Sequence, residues 1–525
     1  MPTGMSKMDV EKGRVDLSSD HQHVTDSRPL DSGHHYEPPQ RPVSSFRQCL
    51  QRLEGQMVAY NLETRGIKRV EAEERHDLKS LGYAQVAILW FSVNLAANNI
   101  TLGMLGPAVY YLSFRDAALC AVFGVILGCL PVAAIATFGP ISGNRTMILT
   151  RYTMGYYPSK LIVILELITL LGYALIDTVV AGQILSAVSP SSHPLTIVVG
   201  IVIVAIVTWA ITTFGYSIFH YYERYAWAPQ LVVLCILAGV AGPSFDLTTP
   251  SQGSNAATIA GDRLSFFSLC FSAAVTYAGG AADYFVYYPS HTPRLPIFAV
   301  TLLGLTLSFT FALILGIGLA SGLPNHAAWN SAYGVSQGAL IVEAYQPLGA
   351  FGSFCGVVVA LGLVANLIPT TYSSGVDFQV LGRVFARVPR VVWNTVGVVI
   401  YTVCAAVGRD HLAQIFTNFL ALMGYWVSIW FAICVEEVLI FRRRRGFDWE
   451  AWAEKKKHPL GVAALIAFLI GWVGAILCMA QVWYIGPIAK LVGDYGADMG
   501  NYVGFAWAAL VFPPLRWLEV RKFGR

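Results

Sequence analysis

The chain has 525 residues, of which 55% are hydrophobic and 13% are charged. A soluble domain carries roughly 25% charged residues, so this composition excludes an ordinary soluble protein and indicates a polytopic helical membrane protein. The net charge of +4 matters less than where the positive side chains stand along the chain.

Residues 1–80 differ from the rest because they contain no long apolar run and many charges, prolines and histidines. They contain no positively charged stretch followed by an apolar core, so we predict no signal peptide. We predict a cytoplasmic tail that is disordered over about its first 45 residues. A surface helix lying at the membrane is predicted for the remainder of the tail.

Twelve apolar segments follow, each long enough to cross a bilayer, which requires about 20 residues per helix. Their centres lie near residues 97, 128, 174, 204, 234, 276, 308, 357, 398, 426, 470 and 507. Twelve spans place both termini on one side of the membrane. If that side is the cytoplasm, 31 of the 35 Lys and Arg residues are cytoplasmic. The exceptions are Arg115, Arg263, Arg409 and Lys490. This asymmetry predicts that both termini are cytoplasmic.

The first span carries polar side chains at its centre, namely Ser92, Asn94, Asn98 and Asn99. An unpaired polar group costs several kcal/mol in an apolar medium, so each amide needs a partner. Two interpretations stay open. The amides join neighbouring helices, or an unwound stretch near residue 96, which includes Asn98 and Asn99, exposes its backbone and side chains to a ligand.

The third span places Glu166, Tyr173 and Asp177 on one helical face, at spacings of seven and four residues. A carboxylate at the centre of a span costs about 2.5–3.5 kcal/mol even on the lenient insertion scale. Three roles stay open for Asp177: pairing with another helix, contact with a substrate, and proton carriage. The spans contain no evident Lys or Arg partner, which weakens the first.

The sixth span ends in TYAGGAADYFVYYP, residues 276–289, where Gly279 and Gly280 interrupt an apolar helix. Non-helical backbone at membrane depth is tolerated only where it faces protein or a water-filled cavity. Matching interruptions in the first and sixth spans indicate a transporter built from two inverted repeats of five helices. Two roles stay open for Asp283. It caps a helix or forms an ion pair with Arg294, or it takes part in proton coupling.

The eighth span contains VANLIPTTYSSGVDF, in which Pro369 removes the hydrogen bond to the carbonyl of residue 365. We therefore predict a helix break at Pro369. Asn366, one turn earlier, either caps the freed backbone or contacts a ligand.

Five motifs, in this order, resemble the nucleobase–cation symporter family, specifically its purine–cytosine permease branch. They are LGMLGP, GPISGNRTMILTRYTMGYYPSK, GYALIDTVVAGQ, AADYFVYYPS and ANLIPTTYS. The likeness covers roughly residues 50–520. It implies an all-α, LeuT-like fold with ten core helices over residues 81–440. Residues 441–525 then hold a basic loop, two peripheral helices and a short cytoplasmic C-terminus.

The resemblance implies proton-coupled uptake of nucleobases (cytosine, adenine, hypoxanthine and guanine) across the plasma membrane. Carried over residue by residue, the substrate-binding positions are Ser92, Asn94, Tyr173, Asp177, Tyr277 and Asn366, with Gly279 and Gly280 beside them. Two aromatic faces would enclose a flat ring, and an amide with a carboxylate would pair with its edge. Asp177, Asp283 and Glu166 are the candidates for proton coupling or gating.

Three departures from the permease pattern affect the substrate. The branch typically has Trp where this chain has Tyr173 and Tyr277, and Asn where it has Asp177. The eighth-span motif typically reads A-N-N-I-P-N, whereas this chain reads A-N-L-I-P-T. An acidic site favours donor-rich or cationic ligands, so vitamin B6-type pyridines become the alternative substrate class.

Other protein classes have less support. The eleven histidines do not cluster within the spans, so we predict no enzyme activity, and no filter-like loop indicates a channel. The nine cysteines show no C-x-x-C spacing, so no metal site and no cofactor is predicted. A non-transporting sensor stays open as a remote alternative. The expected partners are a small heterocycle, a proton and membrane lipid, with no nucleic acid.

Overall fold

The computed structural model describes residues 66–75, 82–190, 192–214 and 225–525. These residues are mostly α-helical, and short 3-10 turns join several of the helices. In chain order the α-helices are α1 (Tyr83–Asn94), α2 (Ala97–Ala108), α3 (Phe114–Ala136), α4 (Phe138–Ser142), α5 (Thr146–Met154), α6 (Ser159–Val188), α7 (Ile197–Phe214), α8 (Trp227–Ala241), α9 (Ala256–Val275), α10 (Arg294–Ser321), α11 (Ala327–Val335), α12 (Gln337–Ala344), α13 (Ala350–Val380), α14 (Arg390–Gly408), α15 (Leu412–Glu436), α16 (Val462–Cys478) and α17 (Gly500–Phe523).

The helices are consistent with the twelve predicted spans. By length and composition, eight helical stretches of the described residues could cross a membrane, or nine when the bent pair α1 and α2 counts as one. One of these stretches, Arg390–Phe441, contains both α14 and α15. The remaining two predicted spans are α9 and the shorter apolar helix α16. The sixth span differs from the prediction, because its α-helix ends at Val275, where the centre of the span was expected.

Nine of the described helices pack into two bundles. The first bundle comprises α1, α2, α3, α9 and α10, and the second bundle comprises α6, α7, α13 and α14. The first bundle contains spans one, two, six and seven, and the second bundle contains spans three, four, eight and nine. Corresponding spans of the two five-helix repeats thus pack in the same bundle, as an inverted repeat predicts, and the LeuT-like architecture is confirmed.

Small residues let the helices of the first bundle approach closely. Gly103 of α2 lies against the backbone carbonyl of Leu313, and Gly316 of α10 lies against the carbonyl of Ile100. Neither site has room for a Cβ atom. Small residues at helix interfaces are typical of membrane proteins, because packing rather than water exclusion holds the helices together.

The predicted N-terminal tail lies outside the described residues except for residues 66–75. Within them, the predicted surface helix is reduced to one 3-10 turn, Ala72–Glu74. The segment is held to the end of the second span, since the Val70 N–H donates to the Gly143 carbonyl at 2.8 Å. The Arg69 side chain donates to the Ser142 carbonyl at 2.9 Å.

The basic loop between α15 and α16 docks onto α5. The Arg151 side chain donates to the Trp452 carbonyl at 3.0 Å, and the Asn144 amide donates to the Trp449 carbonyl at 3.0 Å. Burial lowers the pKa of His458 in this loop to about 4. This histidine is therefore neutral at physiological pH, and the docked loop carries no additional buried charge.

The close approach at Gly316 gives a stability test. A methyl group in Gly316→Ala would overlap the Ile100 carbonyl, so we expect a loss of about 1–3 kcal/mol, as in overpacked cores. Gly239→Ala in α8 is the matched control, because nothing lies within 4 Å of its added Cβ. The measurement is the apparent melting temperature of the detergent-purified proteins. Equal melting temperatures for the two variants would contradict the packing described here.

Candidate substrate site

The first span is interrupted at Leu95 and Ala96. Their backbone angles are not helical, and the axes of α1 and α2 differ by 55°. The Asn99 side-chain amide donates to the Asn94 carbonyl at 2.8 Å, which satisfies a group that the break releases. Asn98 and Asn99 were predicted as the break itself. That assignment is wrong, because both lie in the first turn of α2 and stabilise the break from its C-terminal side.

The sixth span changes character after Val275. The chain continues as a 3-10 segment, Thr276–Gly280, and then a second one, Asp283–Phe285. The α-helix therefore ends before the two glycines that were predicted to break it. Gly279 has a different role, since the Glu166 carboxylate lies where its side chain would be, whereas Gly280 faces open space.

The third span connects the two bundles at this point. The Tyr173 hydroxyl donates to the Ala273 carbonyl at 3.1 Å and lies 2.7 Å from the Thr276 hydroxyl. Its ring centroid is 6.1 Å from that of Tyr277, and the ring planes are tilted by 55°. The two predicted aromatic residues thus meet, but they do not form a parallel slot.

Asp177 is fully buried one turn beyond Tyr173. Neither of its carboxylate oxygens has a hydrogen bond of good geometry among the described residues, although the Asn98 side chain faces it across the helix interface. Ser92 and Asn94 are also buried. The structure does not bring these three predicted residues into the wall of the cavity described below.

Asp283 lies at the end of the sixth span and caps α5. One carboxylate oxygen accepts the N–H and the hydroxyl of Thr146 at 2.7 and 2.8 Å. The other oxygen pairs with Arg145 at 3.3 Å. The sequence proposed Arg294 as the ionic partner, and this was wrong, because Arg294 lies instead over the Phe138 ring at 6.0 Å.

The eighth span differs from its prediction at Pro369. Pro369 lies inside α13, which continues as one α-helix from Ala350 to Val380, so the break predicted there is absent. The Asn366 side chain faces the Tyr277 hydroxyl, and the Asn366 carbonyl accepts the Thr370 hydroxyl at 2.9 Å. Asn366 therefore presents its amide towards the sixth span.

Asp377 is a candidate that the sequence analysis missed. It is buried on α13 and contributes to the cavity wall together with Asn366, Thr370 and Ser373. These four residues follow one another at helical spacings of four, three and four, so they share a face. The same spacing rule that singled out Glu166, Tyr173 and Asp177 in the third span would have identified Asp377.

These elements enclose a cavity between the two bundles. Among the described residues, its wall contains phenol, amide, hydroxyl and carboxylate groups, and no Lys or Arg. The lining residues are Val93, Glu166, Thr169, Leu170, Tyr173, Thr276, Tyr277, Gly279, Gly280, Asp283, Tyr284, Asn366, Pro369, Thr370, Ser373 and Asp377. Such a wall suits a flat, uncharged or cationic ring with hydrogen-bond donors, and it disfavours an anion.

Two interrupted spans around a polar cavity define a membrane transporter of the inverted-repeat class. Solved structures agree on the fold. Mhp1, a nucleobase-cation-symport-1 family transporter, was determined in a closed conformation with bromovinylhydantoin bound. It is 14% identical, with a TM-score of 0.60 over 88% of this chain and 96% of that chain. A Na+-coupled sialic acid symporter is 10% identical, with a TM-score of 0.53 over 90% and 97%.

Sequence comparison gives the family. Residues 69–497 match the family model described as a permease for cytosine/purines, uracil, thiamine and allantoin. The purine-cytosine permease fcyB of Emericella nidulans is 35% identical over 479 residues, covering 91% of this chain and 92% of the relative. The vitamin B6 transporter TPN1 of Saccharomyces cerevisiae is 32% identical over 518 residues, covering 89% of each. The chain belongs to this permease family, and it is a transporter rather than an enzyme.

Substitution of Arg145 and of Arg294 tests which of the two arginines is the partner of Asp283. Arg145→Gln removes the observed pair and leaves a partly buried carboxylate without its cation, so we expect uptake to fall by at least about tenfold. Arg294→Gln is the matched control and should retain most of the activity. Uptake of radiolabelled cytosine and pyridoxine is measured at equal surface expression. The assignment fails if Arg294→Gln is the more damaging variant.

Proposed function

We propose that this transporter imports nucleobases (cytosine, adenine, hypoxanthine and guanine) together with protons across the plasma membrane, by alternating access. The observation that carries the proposal is the cavity between the interrupted spans, where Tyr173, Tyr277 and Asn366 converge. The purine-cytosine permeases of Emericella nidulans and Saccharomyces cerevisiae, at 35% and 33% identity, support this substrate class.

The chemistry of the cavity fits a flat heterocycle. An amide such as that of Asn366 can donate to a ring nitrogen and accept from an exocyclic amine at the same time. Tyr173 and Tyr277 supply aromatic faces, but their rings now contact each other at a tilt. For a ligand to enter between them, one ring has to turn, and Tyr277 is the one on the 3-10 segment of the sixth span rather than on an α-helix.

Alternating access requires contacts between the two bundles that can open. Arg145 supplies one at the end of the cavity that holds Asp283, because it pairs with Asp283 and donates to the Tyr372 hydroxyl of α13 at 3.1 Å. It thus connects the sixth span to the eighth. The distribution of Lys and Arg supports the cytoplasmic placement of this end and of both termini.

Proton coupling is assigned to the carboxylates at the same end. Glu166 of the second bundle lies against Gly279 of the first, and one of its oxygens has no hydrogen-bond partner among the described residues. Asp377 lines the same cavity. A charge at Glu166 is costly at this buried contact, whereas a protonated carboxyl group costs much less. Protonation would therefore favour the approach of the two bundles.

A second candidate substrate is a vitamin B6-type pyridine. The observation that favours it is Asp177, a carboxylate at a position where the purine–cytosine permease pattern has an amide. Asp177 lies behind the cavity wall, so a ligand would reach it only once that wall opens during transport. A carboxylate accepts hydrogen bonds only, so it suits a protonated ring nitrogen better than the acceptor edge of a nucleobase. The vitamin B6 transporter of Saccharomyces cerevisiae at 32% identity supports this alternative.

A substrate panel tests the proposal. Yeast cells without their own nucleobase and vitamin B6 carriers express the chain, and uptake of radiolabelled cytosine, adenine, hypoxanthine, guanine and pyridoxine is measured with counterflow. We expect saturable uptake and counterflow of nucleobases. Pyridoxine uptake without nucleobase uptake would establish the second candidate instead. Normal surface expression without uptake of any of these compounds would refute both candidate substrate classes.

Substitution of Asp177 tests its part in substrate choice. We expect Asp177→Ala to abolish uptake. Asp177→Asn restores an amide and should shift preference towards cytosine and purines over pyridoxine by about tenfold or more. The control is Asp410→Asn, which alters an exposed carboxylate. Unchanged selectivity in both Asp177 variants at normal surface expression would refute the role.

Proton coupling is tested separately. A protonophore should abolish concentrative uptake by the wild type. Glu166→Gln and Asp377→Asn should retain counterflow but lose the stimulation by external acid, because their side chains no longer bind a transported proton. The control is Glu343→Gln on α12, outside the cavity wall. Uptake that is insensitive to the protonophore would contradict proton symport, and normal pH dependence in both variants would contradict the assignment of Glu166 and Asp377.

A further inference from the structure

A second cavity lies at the ends of α15 and α17, away from the substrate site. Its volume is about 450 Å³, within the range of small-molecule sites. Its wall is strongly basic, and we refer to it as the arginine pocket. Its charged lining residues are Arg442, Arg443, Arg444, Arg445, Arg516 and Arg525.

Part of this positive charge is already neutralised. The buried Glu437 carboxylate pairs with Arg442 at 3.0 Å and with Arg516 at 2.8 Å. Arg516 also pairs with Glu519 at 3.0 Å. Two of the lining arginines, Arg442 and Arg516, are therefore matched by two glutamates.

The remaining charge is not neutralised. Residues 443–445, which we name the arginine triplet, are exposed, and the described part of the chain supplies no carboxylate within ion-pair distance of them. Arg525, on the opposite side, donates to the Lys456 carbonyl at 2.7 Å. The three guanidinium groups of the triplet therefore line the cavity without a carboxylate partner among the described residues, which favours an anionic ligand.

The pocket also has an apolar edge. Leu439 and Ile440 contribute to its lining, and their side chains are 61% and 56% exposed. Both belong to the π-helical turn Glu437–Phe441, which ends the tenth span and carries the chain into the arginine triplet. Exposed aliphatic side chains at the end of a span face the hydrocarbon of the bilayer. Groups that can bind an anion and side chains that can pack against an apolar chain therefore lie side by side.

We propose that the arginine pocket binds the headgroup of an anionic phospholipid from the cytoplasmic leaflet. Its phosphate would accept charge-assisted, bidentate hydrogen bonds from the arginine triplet, while its acyl chains run along Leu439 and Ile440. Basic pockets between the ends of membrane helices are suited to such headgroups. The apolar edge places the pocket beside the hydrocarbon of the bilayer, where lipid headgroups are concentrated, and this favours a lipid over a soluble phosphate compound.

The test uses the full-length protein purified in detergent. Thermal unfolding is followed during titration with dioctanoyl phosphatidylinositol, dioctanoyl phosphatidylcholine or inorganic pyrophosphate. We expect saturable stabilisation by phosphatidylinositol alone. The variant R443Q/R444Q/R445Q should weaken the apparent affinity by at least about tenfold, because it removes three phosphate-binding charges. The matched control, K455Q/K456Q/K457Q, removes the same charge from the same loop outside the pocket and should change the affinity less than about twofold.

Each other outcome overturns the proposal. Equal affinity of the arginine variant and the wild type would exclude the triplet, and equal stabilisation by phosphatidylcholine would exclude headgroup charge. Stabilisation by pyrophosphate comparable to that by phosphatidylinositol would identify a soluble-phosphate site instead. Arg444→Glu provides an independent variant: it reverses one exposed charge, should fold normally, and should weaken phosphatidylinositol binding.

Discussion

The structure depends on one constraint, the hydrogen bonding of backbone groups at membrane depth. A bilayer offers no partners there, so a helix can end mid-membrane only where side chains or a cavity replace the lost bonds. At the first break the Asn99 amide satisfies the carbonyl of Asn94. At the second, the Tyr173 hydroxyl donates to the Ala273 carbonyl, close to the end of α9. The polar residues of the spans thus make the site possible before any ligand binds.

The same residues connect the two bundles. Tyr173 and Glu166 project from the second bundle against the 3-10 segment of the sixth span, and Gly279 provides the space for the Glu166 carboxylate. Contacts of this kind are few and polar, whereas the contacts inside each bundle are close and built on glycine. Movement between the bundles therefore costs less than movement within them, which is what alternating access needs.

Three groups of charged residues have different surroundings. Arg145 and Asp283 pair at the end of the substrate cavity, and Glu437, Arg516 and Glu519 pair beneath the arginine pocket. Asp177 has no cationic partner among the described residues, and this isolation is what makes it informative about the substrate. A paired carboxylate contributes to architecture, while an unpaired one in a buried site is available to a ligand or a proton.

The sequence by itself determined the membrane class and the inverted-repeat fold, because hydropathy and helix interruptions are local properties. Its motifs, through their resemblance to a known family, indicated the family and half of the cavity wall, including Tyr173, Tyr277 and Asn366. It missed Asp377, although the spacing on its helix would have revealed it. Only the tertiary structure decided that Arg145 rather than Arg294 pairs with Asp283, that α13 continues through Pro369, and that Asp177 lies behind the cavity wall. These outcomes depend on which helices pack together, since an ion pair, a tolerated proline and a buried carboxylate are each set by neighbours that are distant in the chain.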